Sequence, residues 1–483
     1  MKRYAALTIA ACLALASCRA DAAERSSQQP AAQAQDRPNI IFVLTDDLAT
    51  NLVAYMPKVQ QMQRQGTSFS NYFVTDSLCC PSRSTTFTGK FPHNTGVFTN
   101  TGADGGYQAF NAHGNQQQTF ATALKSAGYR TAMMGKYLNG YQPTDPVPPG
   151  WSEWDVAGNG YPEYDYSLNE NGRVVQYGHQ PGDYLTDVLN RKGQNFIAQS
   201  AKAGQPFMME LATFAPHGPA TPAPRDANRF PDLRAPRGPA FNEADMSDKP
   251  KWIKDRPALN QKQTNRIDMA FRKRARAVQA VDKMLGDLQA ALKKNGVDRD
   301  TYIVFGSDNG FHMGDHRLMP GKQTAFDTDI NVPLVVTGPG VAAGHKSTVL
   351  AQNTDLCPTF ETLGGAKVPD SVDGRSLVPF FKGDAVRDTR DAVLVEHHGP
   401  GQAADDPDKQ TRAKGDPPSY EAVRTDHDVY VEYADGEREY YDVRKDPNEL
   451  DNAIGRVSQT RLNQLKAMLH KLEKCSGKEC RPT

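Results

Sequence analysis

The chain has 483 residues, more than one hydrophobic core ordinarily fills, which favours a large domain with a smaller one attached. Lys plus Arg and Asp plus Glu number 56 each, so the chain lacks the net positive charge on which binding to nucleic acid or an anionic membrane surface relies. With 38% hydrophobic and 23% charged residues the composition is that of an ordinary globular protein, and function has to be read from local groupings.

The first eighteen residues, MKRYAALTIAACLALASC, carry two positive charges, then an apolar run too short to span a bilayer comfortably, then small residues. This pattern predicts an export signal over residues 1–18. Leu15-Ala16-Ser17-Cys18 resembles a bacterial lipobox, in which Cys18 is lipidated and anchors the chain to a membrane facing the periplasm or cell exterior. The alternative is cleavage within Ala20-Asp21-Ala22-Ala23. Residues 19–36, rich in Gln, Ala and Ser, cannot bury a core and read as a flexible tether. Of the seven cysteines, Cys12 and Cys18 fall in the signal; Cys475 and Cys480 are close enough to close a small disulfide loop.

The folded part begins at Arg37-Pro38. Ile40-Ile41-Phe42-Val43-Leu44 is a run of five apolar residues, the pattern of a parallel strand buried on both faces. It ends in Asp46-Asp47, and in open α/β sheets ligands bind beyond the carboxyl ends of strands. A solvated loop with helix-capping aspartates fits the same residues. The spacing then predicts a helix over 52–66, a helix over 117–128, a strand over 129–134, a helix over 183–201, a strand over 206–214 and a long helix over 265–295. Within that last helix, Arg272-Lys273-Arg274 reads as a solvated face. A second buried strand, Thr301–Phe305, ends in Gly306-Ser307-Asp308-Asn309, and another follows at 332–336. Asp46, Asp47, Asp308 and Asn309 together offer four hard oxygen side chains, a set suited to Ca²⁺ or Mg²⁺ rather than zinc. Lys136, His217 and Lys322 fall near strand ends and could supply cations and a proton donor around an anion.

Between these strands lies Cys79-Cys80-Pro81-Ser82-Arg83-Ser84-Thr85-Thr86-Phe87-Thr88-Gly89. It places a sulfur at a helix start, where free backbone N–H groups and Arg83 would attract an anion and lower a thiol pKa. Cys-X-Pro-Ser-Arg followed by Thr-Gly resembles the motif of the type I sulfatases. The resemblance extends through Ala215-Pro216-His217-Gly218-Pro219 and Asp329-Ile330-Asn331-Val332-Pro333-Leu334 and covers most of residues 38–380. It implies that Cys79 is converted by a formylglycine-generating enzyme to formylglycine, which completes the shell of a divalent cation, more readily Ca²⁺ than Mg²⁺, held by Asp46, Asp47, Asp308 and Asn309. Arg83, Lys136, His217 and Lys322 would be the catalytic and sulfate-clamping groups. The fold implied is α/β: a mixed, mostly parallel central sheet flanked by helices, as in alkaline phosphatase, with a small C-terminal α+β subdomain.

Many arylsulfatases carry a histidine two places after the first lysine; here that place is Leu138. Gly135-Lys136-Tyr137-Leu138-Asn139-Gly140-Tyr141 is instead similar to the branch of N-acetylglucosamine-6-sulfatases and extracellular glucosamine-6-O-sulfatases, which implies a sulfated saccharide as substrate and a place in glycosaminoglycan degradation. The base for the final elimination is then open, with His312 and His316 as candidates. A broad arylsulfatase and a related phosphate or phosphonate monoester hydrolase are the alternatives; a non-enzymatic carbohydrate-binding lipoprotein would require an unconverted Cys79. Beyond Gly374-Arg375 the texture changes: residues 401–418 are polar with Pro and Gly, Glu421–Val443 alternates around Asp435-Gly436 as hairpin strands, and Gln459–Leu472 is an amphipathic helix. The expected division is 37–375 for the catalytic domain and 376–483 for a subdomain of structural role that supplies at most one wall of the pocket.

Overall fold

The computed structural model describes residues 37–383, 390–399, 406 and 408–481. The expected signal, the tether and Cys18 lie outside these residues. No helix among the described residues is long and apolar enough to cross a membrane.

A ten-stranded sheet forms the centre, in the spatial order His345–Ser347, Thr67–Phe69, Leu334–Thr337, Thr301–Ser307, Asn39–Thr45, Phe207–Ala212, Arg130–Lys136, Glu153–Ala157, Tyr166–Glu170, Arg173–Tyr177. The five strands from Thr301–Ser307 to Glu153–Ala157 run parallel, and antiparallel strands flank them on both sides. Every residue of Asn39–Thr45 is buried. Because side chains alternate across a strand, Ile40, Phe42 and Leu44 enter the core on one face and Ile41 and Val43 the core on the other. The first core is closed by Phe87, Phe120 and Phe360, the second by Ile267, Phe271, Val278 and Leu285 of the long Gln261–Lys294 helix.

Several expected elements differ at their ends for local reasons. Pro57 starts a new helix, so the segment expected over 52–66 is a 3-10 turn, Thr50–Tyr55, followed by Pro57–Gln65. The helix expected from 117 begins at Phe120, because Thr119 and Thr122 cap one another. The long helix starts earlier than expected, at Gln261, where Asn260 accepts from the Gln263 backbone N–H. Beyond Glu153–Ala157, Tyr166–Glu170 and Arg173–Tyr177 add an antiparallel hairpin that the sequence reading does not anticipate. Its outermost strand, Arg173–Tyr177, is exposed to half-buried, with only Val175 and Tyr177 turned inward.

The C-terminal residues form a four-stranded antiparallel sheet in the order Val393–His397, Tyr420–Arg424, Asp428–Tyr433, Arg438–Asp442. Leu394, Val423 and Tyr430 on one face pack against Leu462, Leu465 and Leu469 of the Gln459–Leu472 helix, while Val395, Ala422 and Val431 join the main core. A disulfide links Cys475 and Cys480 as their spacing suggested.

Candidate active site and metal centre

The register of the two innermost strands builds the site. Thr45 lies opposite Ser307 in a parallel pair, so the residues that follow leave the sheet side by side at its carboxyl edge. This brings Asp46-Asp47 against Asp308-Asn309, although about 260 positions separate them: the Asp47 backbone N–H donates to Asp308 Oδ1 at 3.0 Å across a sequence gap of 261. Ligand atoms of Asp46, Asp47, Cys79 and Asp308 all fall within 4.8 Å of one another, and all four residues are buried. Asn309 Nδ2 donates to Asp47 Oδ1 at 2.7 Å, while its Oδ1 is buried without a hydrogen-bond partner. An orphaned amide oxygen beside three carboxylates is a donor set that fits a hard divalent cation, so the residues present suit the implied metal.

Cys79 opens the helix Cys79–Thr88, whose ten residues are all buried and which ends at Gly89 in the left-handed conformation. Its sulfur lies 3.2 Å from Asp46 Oδ1 and accepts from Lys322 Nζ at 2.9 Å. The expectation of a lowered thiol pKa does not hold for the unmodified cysteine. Burial pushes it well up, the Asp408 and Asp46 carboxylates add to the rise, and Lys136 and Lys322 only oppose it. The helix start is enclosed by carboxylates as well as cations.

The cationic groups are tied to the acidic ones pair by pair. Arg83 Nε donates to Asp308 Oδ2 at 2.8 Å and its Nη1 to the Lys136 carbonyl at 2.8 Å. Lys136 Nζ is 2.7 Å from Asp46 Oδ2, and Lys322 Nζ is 2.6 Å from Asp47 Oδ1. Lys136 is aimed by Gly135, whose φ of +103° and close approach to the Ala212 carbonyl only glycine accommodates. Burial alone would raise the Asp46 pKa, but Lys136, with His217, Arg83 and Lys322, holds it well below the usual range. Asp308 is raised by burial and by the Asp46 charge, with Arg83 opposing. His217 Nδ1 donates to the Gly218 carbonyl at 2.7 Å, which leaves Nε2 facing the pocket. Burial disfavours its charged form, yet Asp408, Asp47 and Asp46 carry its pKa above the ordinary value.

Two expectations are corrected. His312 is pinned between Asp329, 2.9 Å from Nδ1, and the Lys414 carbonyl, 2.6 Å from Nε2. His316 bonds Glu243 at 2.6 Å and stacks on Phe326. Both are held by these bonds, and neither is a hydrogen-bond partner of the residue-79 sulfur, whose partners are Asp46, Asp408 and Lys322. Arg274, expected on a solvated face, is buried and donates to the backbone carbonyls of Asp47 and Pro216. The helix turns every fourth residue inward, so one member of a basic run can support the metal-side loop while Lys273 stays exposed.

The sequence reading missed Asp408. From the C-terminal segment it reaches the middle of the pocket: Oδ1 is 2.7 Å from His217 Nε2 and 2.9 Å from Lys322 Nζ, and Oδ2 is 3.3 Å from Cys79 Sγ and accepts from Asn100 Nδ2 at 2.8 Å. One aspartate among three in a polar stretch without periodicity, Asp405, Asp406 and Asp408, carries no signal in sequence. Asp47, His217 and Asp408 form a second cluster of potential ligands, but the Lys322 ammonium already lies against both of its carboxylates. Beside this pocket opens a cleft of about 550 Å³ with a mixed lining that includes Leu78, Gln323, Asp104, His398 and Lys409, a size that suits a small ligand. A hollow of about 600 Å³ elsewhere, bordered by His345 and Arg461, contains none of the groups above.

A sulfatase family model matches residues 38–366, and one for the C-terminal part of N-sulphoglucosamine sulphohydrolase matches residues 314–476. N-acetylglucosamine-6-sulfatase of Capra hircus is 33% identical over 93% of this chain and 86% of its own length. A protein solved with its substrate D-glucosamine-2-N,6-O-disulfate superposes with a TM-score of 0.72 at 25% identity, covering 91% of this chain and 98% of that one. The phosphonate monoester hydrolase of Agrobacterium radiobacter shares the fold, with a TM-score of 0.68 at 22% identity over 90% of this chain and 95% of its own. A family match that takes in both metal-side strands, the Cys79 helix and Lys136, His217 and Lys322, together with a third of residues shared with a sulfatase along nearly the whole chain, places this protein in the sulfatase family, as a sulfuric ester hydrolase.

Proposed function

We propose that this enzyme releases sulfate from sulfated carbohydrates, with 6-O-sulfated glucosamine residues of the N-acetylglucosamine-6-sulfate type as its substrates. The observation that supports this most is the convergence, in one buried pocket, of Cys79, four oxygen ligands and the cations Lys136, His217 and Lys322. The Capra hircus relative and the glucosamine disulfate complex favour an amino-sugar substrate, and the cleft beside the pocket has room for one.

Asp46, Asp47, Asp308, Asn309 and residue 79 would hold a divalent cation, Ca²⁺ in our reading, with Cys79 converted to formylglycine. When present, the cation supplies Lewis acidity and the hydrated aldehyde supplies both a nucleophilic hydroxyl and a second one through which sulfate can be expelled. The chain's own side chains do the rest. Arg83 fixes Asp308 in place, and Lys322 Nζ, 2.9 Å from the side-chain atom of residue 79, favours an ionised oxygen there. Lys136 and Lys322 balance the negative charge of the sulfate oxygens. His217, oriented by the Gly218 carbonyl, presents Nε2 to protonate the leaving alcohol. We also take the chain to be exported and anchored through Cys18, with residues 37–375 as the catalytic domain and 376–483 as the C-terminal subdomain.

A panel of sulfated mono- and disaccharides assayed for free sulfate tests the substrate. Release from 6-O-sulfated glucosamines should exceed that from other positions, and a preference for simple aryl sulfates over every sugar sulfate would overturn it. The intact mass of the peptide carrying residue 79 should be lower by about 18 Da, as CH₂SH becomes CHO. Serine at this position would have no second hydroxyl, so Cys79→Ser should stop after one turnover with sulfate on the enzyme; multiple turnover would refute the scheme.

A further inference from the structure

Asp408 is a carboxylate set among the groups that would grip an anionic ester. It is 4% exposed, and both of its oxygens are committed to pocket groups: Oδ1 to His217 and Lys322, Oδ2 to Asn100 and the residue-79 sulfur. Asn100 is itself fixed, its Oδ1 accepting from the Cys80 backbone N–H at 2.9 Å. The backbone of Asp408 is held as well. Its carbonyl accepts from Gln410 Nε2 at 2.6 Å and Gln323 Nε2 at 3.3 Å, and its N–H donates to Asp406 Oδ1 at 2.9 Å. The side chain can turn aside for a ligand, but its charge stays within one side-chain length of any anion bound by Lys322 and His217.

We infer that Asp408 is a specificity-determining residue, the group that sets this pocket to a singly charged sulfate ester in preference to a doubly charged phosphate or phosphonate. The inference rests on the reading of the pocket as the sulfate site. A sulfate monoester bears one negative charge, whereas a phosphate monoester bears close to two at neutral pH. A carboxylate whose backbone is held a few ångströms away, in surroundings largely closed to water, opposes each ligand in proportion to its charge, so it penalises the dianion about twice as much.

The test compares benzenesulfonate with phenylphosphonate, two non-hydrolysable anions of similar shape that differ in charge. Their binding to the metal-loaded, formylglycine-bearing enzyme is measured by calorimetry at a pH where the phosphonate is fully ionised. Asp408→Asn should raise the affinity ratio of phosphonate to sulfonate by about tenfold or more, and the kcat/KM ratio of 4-nitrophenyl phosphate to 4-nitrophenyl sulfate should move the same way. Asp408→Glu, which keeps the charge, should leave both ratios near those of the parent enzyme. Ratios that stay fixed in Asp408→Asn, or rise equally in both variants, overturn the inference. So does accumulation of sulfate-bearing Asp408→Asn enzyme at an unchanged ratio, which would make the residue an acid–base group. The binding comparison does not depend on which sugar sulfate is the substrate, so a failed saccharide panel leaves it readable.

Discussion

Arg83 is fully buried, and its guanidinium is shared between the Asp308 carboxylate and the Lys136 carbonyl. Arg83→Ala would leave the buried Asp308 charge without its cationic partner, the Asp47 N–H alone remaining, so it is expected to cost about 3–5 kcal/mol in urea unfolding as well as abolish turnover. A loss of activity with unchanged stability would show that another group compensates Asp308. His217 makes a different kind of prediction. As donor to the leaving alcohol it should matter most where that alcohol is a poor leaving group, so His217→Gln is expected to slow sugar sulfates by about 10²–10⁴-fold and nitrophenyl sulfate far less. Equal losses on both would point to substrate binding instead. At this scale the sequence was read well where residues sit at strand ends and poorly elsewhere. Asp46, Asp47, Asp308 and Asn309 follow apolar runs that announce strands, whereas Asp408 follows nothing periodic, and Arg274 shares its run with a solvent-facing lysine.

The helix Cys79–Thr88 shows where hydrophobic periodicity ceases to inform. It is buried all round yet rich in Ser and Thr, and several of its hydroxyls find partners inside the fold: Thr88 donates to the Ser84 carbonyl at 2.7 Å, Thr85 Oγ1 accepts from Thr75 at 3.0 Å, and Ser82 donates to the Asp308 carbonyl. Only a motif, not an apolar stripe, marks this element in the sequence. The penultimate residue of the Arg130–Lys136 strand is a glycine that must stay one. A Cβ on Gly135 would come within 1.9 Å of the Ala212 carbonyl oxygen of the neighbouring strand, at a φ of +103° that side chains avoid. Gly135→Ala is therefore expected to lower stability by at least about 1–3 kcal/mol in thermal unfolding and to impair activity by moving Lys136. Full activity with unchanged unfolding would mean the strand can shift without disturbing the lysine.

Across the whole molecule, stability should depend on pH through acids that the fold keeps away from water. Burial pushes Glu163 up to about 7, Glu210 up to about 8, and Glu361 and Glu439 up to about 7, all from an ordinary 4.5. Between pH 4.5 and these values the folded chain holds protons that the unfolded chain has released, so stability falls as pH rises through that window. Glu163 illustrates the balance, since the Thr186 N–H and hydroxyl bond its carboxyl but do not overcome its desolvation. Glu163→Gln should flatten the decline, by on the order of 1–3 kcal/mol between pH 5 and pH 8, measured by denaturant unfolding across that range. A decline of unchanged slope would place the titrating groups elsewhere.

The sequence by itself determined the buried parallel strands, the acidic residues at their ends, the Cys79 motif and the C-terminal hairpins. Each of these is written in neighbouring residues, through runs of apolar side chains, alternation or fixed spacing. Tertiary structure decided which charges face one another. The pairing of Thr45 with Ser307 sets four oxygen-bearing side chains at one edge, and the packing of the C-terminal segment brings Asp408 onto Lys322 and His217. Such contacts join positions hundreds of residues apart, where no local pattern exists, and they arise only once the sheet register and the two cores are in place.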